Sequence, residues 1–201
     1  LGDHELLVLV AGQARLGRRE ILRDALDELV ERLARRGDVA QQPAGGEEGV
    51  VWALSQNRLV VGTPAFEAVI SASELDQALT ATAYTVRKPS RRGSADIQAV
   101  EHDDGLFFVQ RSGRRLYEIF TGDGGKMNSQ DISRLNPVAY KLGIKRLAVQ
   151  QQPNTRLYAL MLDGSLVVTT HERDDKVIAV TTRSIAGGII EDIETMPNID
   201  Q

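Results

Sequence analysis

From Val50 onward the apolar runs are short, and they come in pairs split by turn-forming residues. "VVWALSQNRLVVGT" divides at Gln56-Asn57, "LFFVQRSGRRLYEIF" at Ser112-Gly113, and "LYALMLDGSLVVTT" at Asp163-Gly164. Runs this short suit strands better than helices, and a tight turn between two of them folds the chain back antiparallel to itself. Asp-Gly is the strongest of the three signals, because glycine takes a positive φ with no Cβ in the way. A last pair, "VIAVTTRS" and "GIIEDIETM", predicts two more strands at the C-terminal end. The expected class is mainly β, built of antiparallel hairpins.

The hairpins recur. Trp52, Phe107 and Tyr158 mark equivalent places roughly every 50 residues, a spacing that suits β-propeller blades of several strands each. In "RLYEIF" and "SLVVTT" apolar residues occupy both alternating sets, which predicts sheets covered on both faces. The architecture expected is therefore β-propeller-like, with a β-sandwich as the alternative.

The first 49 residues read differently. Residues 18–36, "RREILRDALDELVERLARR", repeat apolar positions at three- and four-residue steps and predict one amphipathic helix ending at Gly37. Leu22, Leu26, Leu29 and Leu33 are a candidate contact face on that stripe, and packing on their own domain would use the same side chains. Leu6–Val10 predicts a short strand, and "QQPAGGEEG" (41–49) reads as a linker. This divides the chain into residues 1–49, a strand with a helix and linker, and residues 50–201, a β-rich domain. A start at Leu1 rather than Met suggests a trimmed piece. The opening residues lack the basic lead-in of a signal peptide, and no apolar run approaches the ~20 residues of a membrane span.

Chemistry is hard to find. With 24 Lys+Arg against 28 Asp+Glu, the net charge of −4 exerts no global pull on phosphate backbones. The absence of cysteine removes disulfides, thiolate zinc sites and cysteine nucleophiles together. His4, His102 and His171 lie far apart, and His102 in "EHDDG" and His171 in "HERDD" are expected to be exposed turn residues. "FTGDGGKMNS" (120–129) carries Gly-Gly-Lys but lacks the early glycine of a phosphate loop and the Ser or Thr after the lysine, so it reads as a loop leaving a strand. No catalytic residue, cofactor site or metal site is predicted, and an enzyme is not the expected class. Arg87, Lys88, Arg91 and Arg92, with Arg111, Arg114 and Arg115, form the basic cluster outside the helix. Nucleic-acid grooves interleave exposed aromatics with cations, whereas Phe107, Phe108 and Tyr117 fall inside strand runs and should be packed. These seven cations are candidates for subunit or DNA contact, and solvated turn charges are the simpler reading.

Four segments in one order carry a family likeness. "ALSQNRLVVGTPAFEAVISAS", "LTATAYTVRKPSRRGSADIQAV", "GLFFVQRSGRRLYEI" and "LAVQQQPNTRLYALMLDGSLVVTTHERDDKVIAVTT" resemble successive parts of the tail nozzle, or tail tubular protein B, family of short-tailed bacteriophages. The likeness covers roughly residues 50 to 197, and residues 1–49 have no counterpart in it. It implies a virion tail protein with propeller-like domains, a hexameric ring of identical subunits bound to other tail and connector proteins, and passage of genomic DNA during ejection. It brings no catalytic residues. Three blade-like units are fewer than the four to eight that close a propeller. A module that binds a glycan or host surface is the alternative function, and the aromatic content of 4% counts against it.

Overall fold

A computed structural model describes residues 49–55, 58–72, 84–103, 105–152, 154–173 and 175–196. The predicted helix over 18–36, with Leu22, Leu26, Leu29 and Leu33, lies outside these residues, as do Leu6–Val10 and the turn at Gln56-Asn57. The chain divides into two compact units, residues 1–96 and 97–201.

The protein is mainly β. Its described strands form three four-stranded antiparallel sheets, and within each sheet neighbouring strands are consecutive in sequence. The first unit holds β1 (Trp52–Ser55), β2 (Leu59–Gly62), β3 (Glu67–Ala72) and β4 (Tyr84–Ser90). The second unit holds two sheets. One comprises β5 (Val100–His102), β6 (Gly105–Val109), β7 (Leu116–Thr121) and β8 (Met127–Asp131). The other comprises β9 (Ile144–Gln150), β10 (Arg156–Met161), β11 (Leu166–Glu172) and β12 (Val177–Arg183).

The three expected hairpins are present as β1–β2, β6–β7 and β10–β11. At the last of these, Met161 and Ser165 close a three-residue loop, with Met161 N–H donating to Ser165 O at 2.9 Å and Gly164 N–H to Met161 O at 3.0 Å. Asp163 Oδ1 accepts from both the backbone N–H and the hydroxyl of Ser165, at 3.0 and 2.7 Å. Gly164 sits at φ +79°, and a Cβ there would also press on Ile189; a side chain would be strained twice over. The "FTGDGGKMNS" stretch is a second hairpin connection, a 3-10 turn at Asp123–Gly125 between β7 and β8.

The expectation of sheets covered on both faces holds for one strand and fails for the other. Leu116, Tyr117, Glu118 and Ile119 of β7 are all buried, as are all five residues of β6. Phe107 points to one face, where it meets His171 edge-on at 5.7 Å, while Phe108 stacks on its cross-strand partner Tyr117, also at 5.7 Å. Each aromatic so buried contributes about 1.5–3 kcal/mol. On β11, by contrast, Val167, Thr169 and His171 are buried and the residues between them half-exposed. Its "SLVVTT" is one-sided because Thr169, although polar, takes an inward place by sharing a hydrogen bond with the buried Tyr140 hydroxyl.

The predicted strand in "GIIEDIETM" does not form. After β12 the chain runs without secondary structure to residue 196. Side chains hold it: Lys145 Nζ donates to Glu191 O at 2.7 Å, Arg146 forks to Asp192 and Glu194, and Thr195 Oγ1 donates to Val149 O at 2.8 Å. The backbone N–H of Ile190 goes to Gly164 O and that of Ile193 to Asp192 Oδ1. With those donors used elsewhere, no regular ladder is made.

Candidate functional site

The densest polar cluster lies inside the second unit, where apolar strands would ordinarily exclude it. Glu118 occupies the third place in β7, directly opposite Phe107 and on the same face. It is fully buried. His171 Nε2 lies 3.0 Å from Glu118 Oε2, and the Arg173 guanidinium donates to Glu118 Oε1. A carboxylate can only accept, so the His171 proton sits on Nε2. Both partners come from the end of β11 and the turn after it, so the cluster ties the β5–β8 sheet to the β9–β12 sheet. Burial pushes the Glu118 carboxyl up, but hydrogen bonds and charge from His171 and Arg173 outweigh it and hold the group below its ordinary value.

His102 completes the cluster. It ends β5, is 2% exposed, stacks on Phe107 at 5.2 Å and lies 6.0 Å from the His171 ring. Its Nε2 is 3.3 Å from Asp103 Oδ2, while Nδ1 of both histidines is buried without a hydrogen-bond partner. Burial lowers the His102 pKa; Asp103 and Glu118 pull it back up in part, and Arg173 and His171 push it further down. Both histidines, expected in exposed turns, are therefore core residues. Asp103, Arg173 and Asp175 near them are turn residues, whereas Glu101 and Glu172 lie in strands, and the histidine rings pack with Phe107 and Glu118.

A second buried carboxylate sits in the first unit. Glu67 begins β3, fully buried, and accepts from the Ser94 hydroxyl at 2.9 Å. Burial raises its pKa, and the hydroxyls of Ser90 and Ser94 offset this only in part. The same corner is closed by Ser94 N–H donating to Thr63 O at 2.8 Å, and by Gly93 at φ +73°, whose missing Cβ lets Pro64 O approach.

The seven basic candidates fall in two different units. Arg87 and Lys88 lie on β4, followed by the exposed Arg91 and Arg92. Lys88 Nζ stands 4.7 Å over the Phe66 ring, and partial burial with nearby Arg91 lowers its pKa. Arg111 and Arg114 are exposed in the β6–β7 turn, whereas Arg115 bridges Asp131 at 2.9 Å. Phe107, Phe108 and Tyr117 are buried, as expected, whereas the half-buried Phe120 carries the Arg173 guanidinium 4.7 Å over its ring. Among the described residues no group of three His, Asp or Glu side chains could hold a metal, and no helix is long and apolar enough to cross a membrane.

Sequence reasoning passed over Glu118 and Glu67. Their signal was present: each is a lone carboxylate inside an apolar strand, "LYEIF" and "FEAVI". A charge where both strand faces are apolar must find a partner or lose its charge. Glu118 keeps both oxygens engaged by side chains of its own unit, which ties the two sheets together.

Fold and cluster together define a mainly-β protein of successive antiparallel four-stranded sheets with buried polar ties. Compared with known proteins, the chain matches no family model and no curated protein sequence.

Proposed function

We propose that this chain is a non-catalytic structural component of a bacteriophage tail, a nozzle or tail-tube protein with propeller-like sheets that assembles as a hexameric ring. In that assembly it joins other tail and connector proteins, resides in the virion tail, and lines or borders the path of the ejected DNA. The observation that carries the reading is the succession of three antiparallel sheets, each made of four strands consecutive in sequence. Propeller blades are four-stranded antiparallel sheets as well, although three fall short of the four to eight that close a propeller; these three fall on the segments that resemble the nozzle family. The Glu118 cluster is compatible with it, because both carboxylate oxygens are taken up by an internal tie to His171 and Arg173. A protein that passes DNA should not grip the backbone, and a net charge of −4 fits that requirement.

Native mass spectrometry of the purified chain over a range of concentrations tests the proposal. A closed hexamer is the expected species. A chain that stays monomeric at every concentration would overturn self-assembly into a ring.

A further inference from the structure

The connections of the second unit emerge at two ends, and the two ends differ in chemistry. At one end the β6–β7 turn, residues 132–143, the β10–β11 turn and residues 184–190 are laced together by backbone hydrogen bonds. Ile132 N–H donates to Leu116 O, Ile144 N–H to Gly113 O, Leu162 N–H to Gly143 O and Ile190 N–H to Gly164 O, at 2.7–3.1 Å. Tyr140 reaches from this end into the core, where its hydroxyl meets Thr169.

On that frame stand Leu135, Val138, Leu142, Leu162, Ile185 and Ile189, each 48–68% exposed. Among the described residues only Val177 and Met196 are large, apolar and exposed elsewhere. Leu162 leans on Gly143 and Ile189 on Gly164, where a Cβ would collide, so these two tips are set in place by contact. The same end carries Arg111, Arg114, Arg134, Lys141, Lys145 and Arg183, all exposed. Asp131 is engaged by Arg115 and Asp192 by Arg146, which leaves Asp163 and Glu191 as the opposing exposed acids. Cations therefore dominate around the aliphatic tips, although the whole chain is acidic.

DNA would take the charges but leave the leucines in water, and no exposed aromatic stands among the described residues of this end for a base to stack on. Protein interfaces centre on aromatic and Met anchors, which this end also lacks. A lipid surface uses both components. Acyl chains accept aliphatic side chains of any shape, long Lys and Arg stems keep their charges at the headgroups, and anionic lipid attracts each cation. We propose that this end of the second unit docks on an anionic lipid surface, its aliphatic tips at the headgroup–acyl boundary and its cations on the phosphates. The association is peripheral and asks no segment to cross. It goes beyond the tail reading and does not rest on it.

Flotation of the full chain with vesicles of equal parts phosphatidylcholine and phosphatidylglycerol tests the proposal, beside vesicles of phosphatidylcholine alone. Binding to the mixed vesicles is expected, about tenfold or more weaker on phosphatidylcholine alone and falling as salt is raised. Leu142→Glu with Leu162→Glu should weaken it at least about tenfold, and Arg114→Glu with Lys141→Glu by a similar factor. Arg156→Glu, at an exposed cation of the opposite end, should leave it within about twofold. No binding to the mixed vesicles, or equal binding to both kinds, overturns the proposal. Binding that survives the leucine double variant and is displaced by duplex DNA also overturns it, since the end would then be a contact for any polyanion. A hexamer that does not float overturns it and leaves the tail reading standing; a monomer that floats does the reverse.

Discussion

Two buried glutamates, one in each compact unit, occupy the third strand of a four-stranded sheet and behave in opposite ways. Glu67 on β3 has hydroxyl partners, and burial drives its pKa up. Glu118 on β7 is equally buried, but His171 and Arg173 bring its pKa below the ordinary value. Burial alone therefore does not set the charge of an acid in this fold; the partner does. Burial favours a proton on Glu67, and the neutral hydroxyls of Ser90 and Ser94 offset it only in part. The Arg173 guanidinium and the His171 hydrogen bond hold Glu118 as a carboxylate, whose charge also acts on His102.

Breaking the ionic half should have the largest effect. Glu118→Ala takes the buried acceptor away from His171 Nε2 and one contact away from the partly exposed Arg173, which still lies over the Phe120 ring, and should cost about 1.5–3 kcal/mol. Three of the four tyrosines, Tyr117, Tyr140 and Tyr158, lie in the second unit, and Tyr84 and Trp52 lie in the first. The loss should appear in urea melts followed by tyrosine near-ultraviolet dichroism before it appears in tryptophan fluorescence.

Protonation provides a smaller perturbation. The folded pKa of His102 is depressed, so the unfolded chain takes up a proton that the folded chain refuses. Its stability contribution is complete above the unfolded value near 6.5 and is lost as pH falls through 6.5 toward the folded value. Asp103, Glu118, Arg173 and His171 all act on this ring, and Glu118, with its lowered pKa, keeps its charge across that window. His102→Phe, which preserves the stack on Phe107, should remove up to about 1.4 kcal/mol per pH unit from the slope of stability between pH 6.5 and 5.5. Thermal melts across that range measure it; an unchanged slope would place the titration elsewhere.

The smallest effect should come from Glu67→Gln. The raised pKa means that the folded state favours the protonated form, so the residue costs stability as pH rises through its folded value. The amide imitates the neutral acid, and the variant should lie within about 1 kcal/mol of the parent at pH 7. Any gain should shrink as the pH is lowered toward 4. A loss as large as that of Glu118→Ala would erase the contrast between the two sites.

The hairpins were legible because their signals are local: a turn dipeptide and the runs beside it determine β6–β7 and β10–β11 almost without reference to the rest of the chain. The polar cluster was not legible, because Glu118 and His171 are 53 residues apart and meet only through packing of two sheets. Local polarity misled at His102, where Asp103 belongs to a turn but the preceding ring belongs to the core. The C-terminal stretch misled in the opposite sense. "GIIEDIETM" has the apolar content of a strand, yet Gly187 and Gly188 stand at its start, the Glu191 carbonyl answers Lys145, and Asp192 and Glu194 answer Arg146 instead of extending a ladder.

That last segment has a mechanical consequence. Its ties to the third sheet are separate side-chain contacts, and exposed ion pairs such as those of Arg146 are individually weak. Under tension from its C-terminal side they would give way one at a time, Thr195 first and Ile190 last. Residues 184–196 would then pay out as a tether of roughly 40 Å before any load reached the β11–β12 ladder. Over that length the strap is slack, and the ladder beneath it keeps its register.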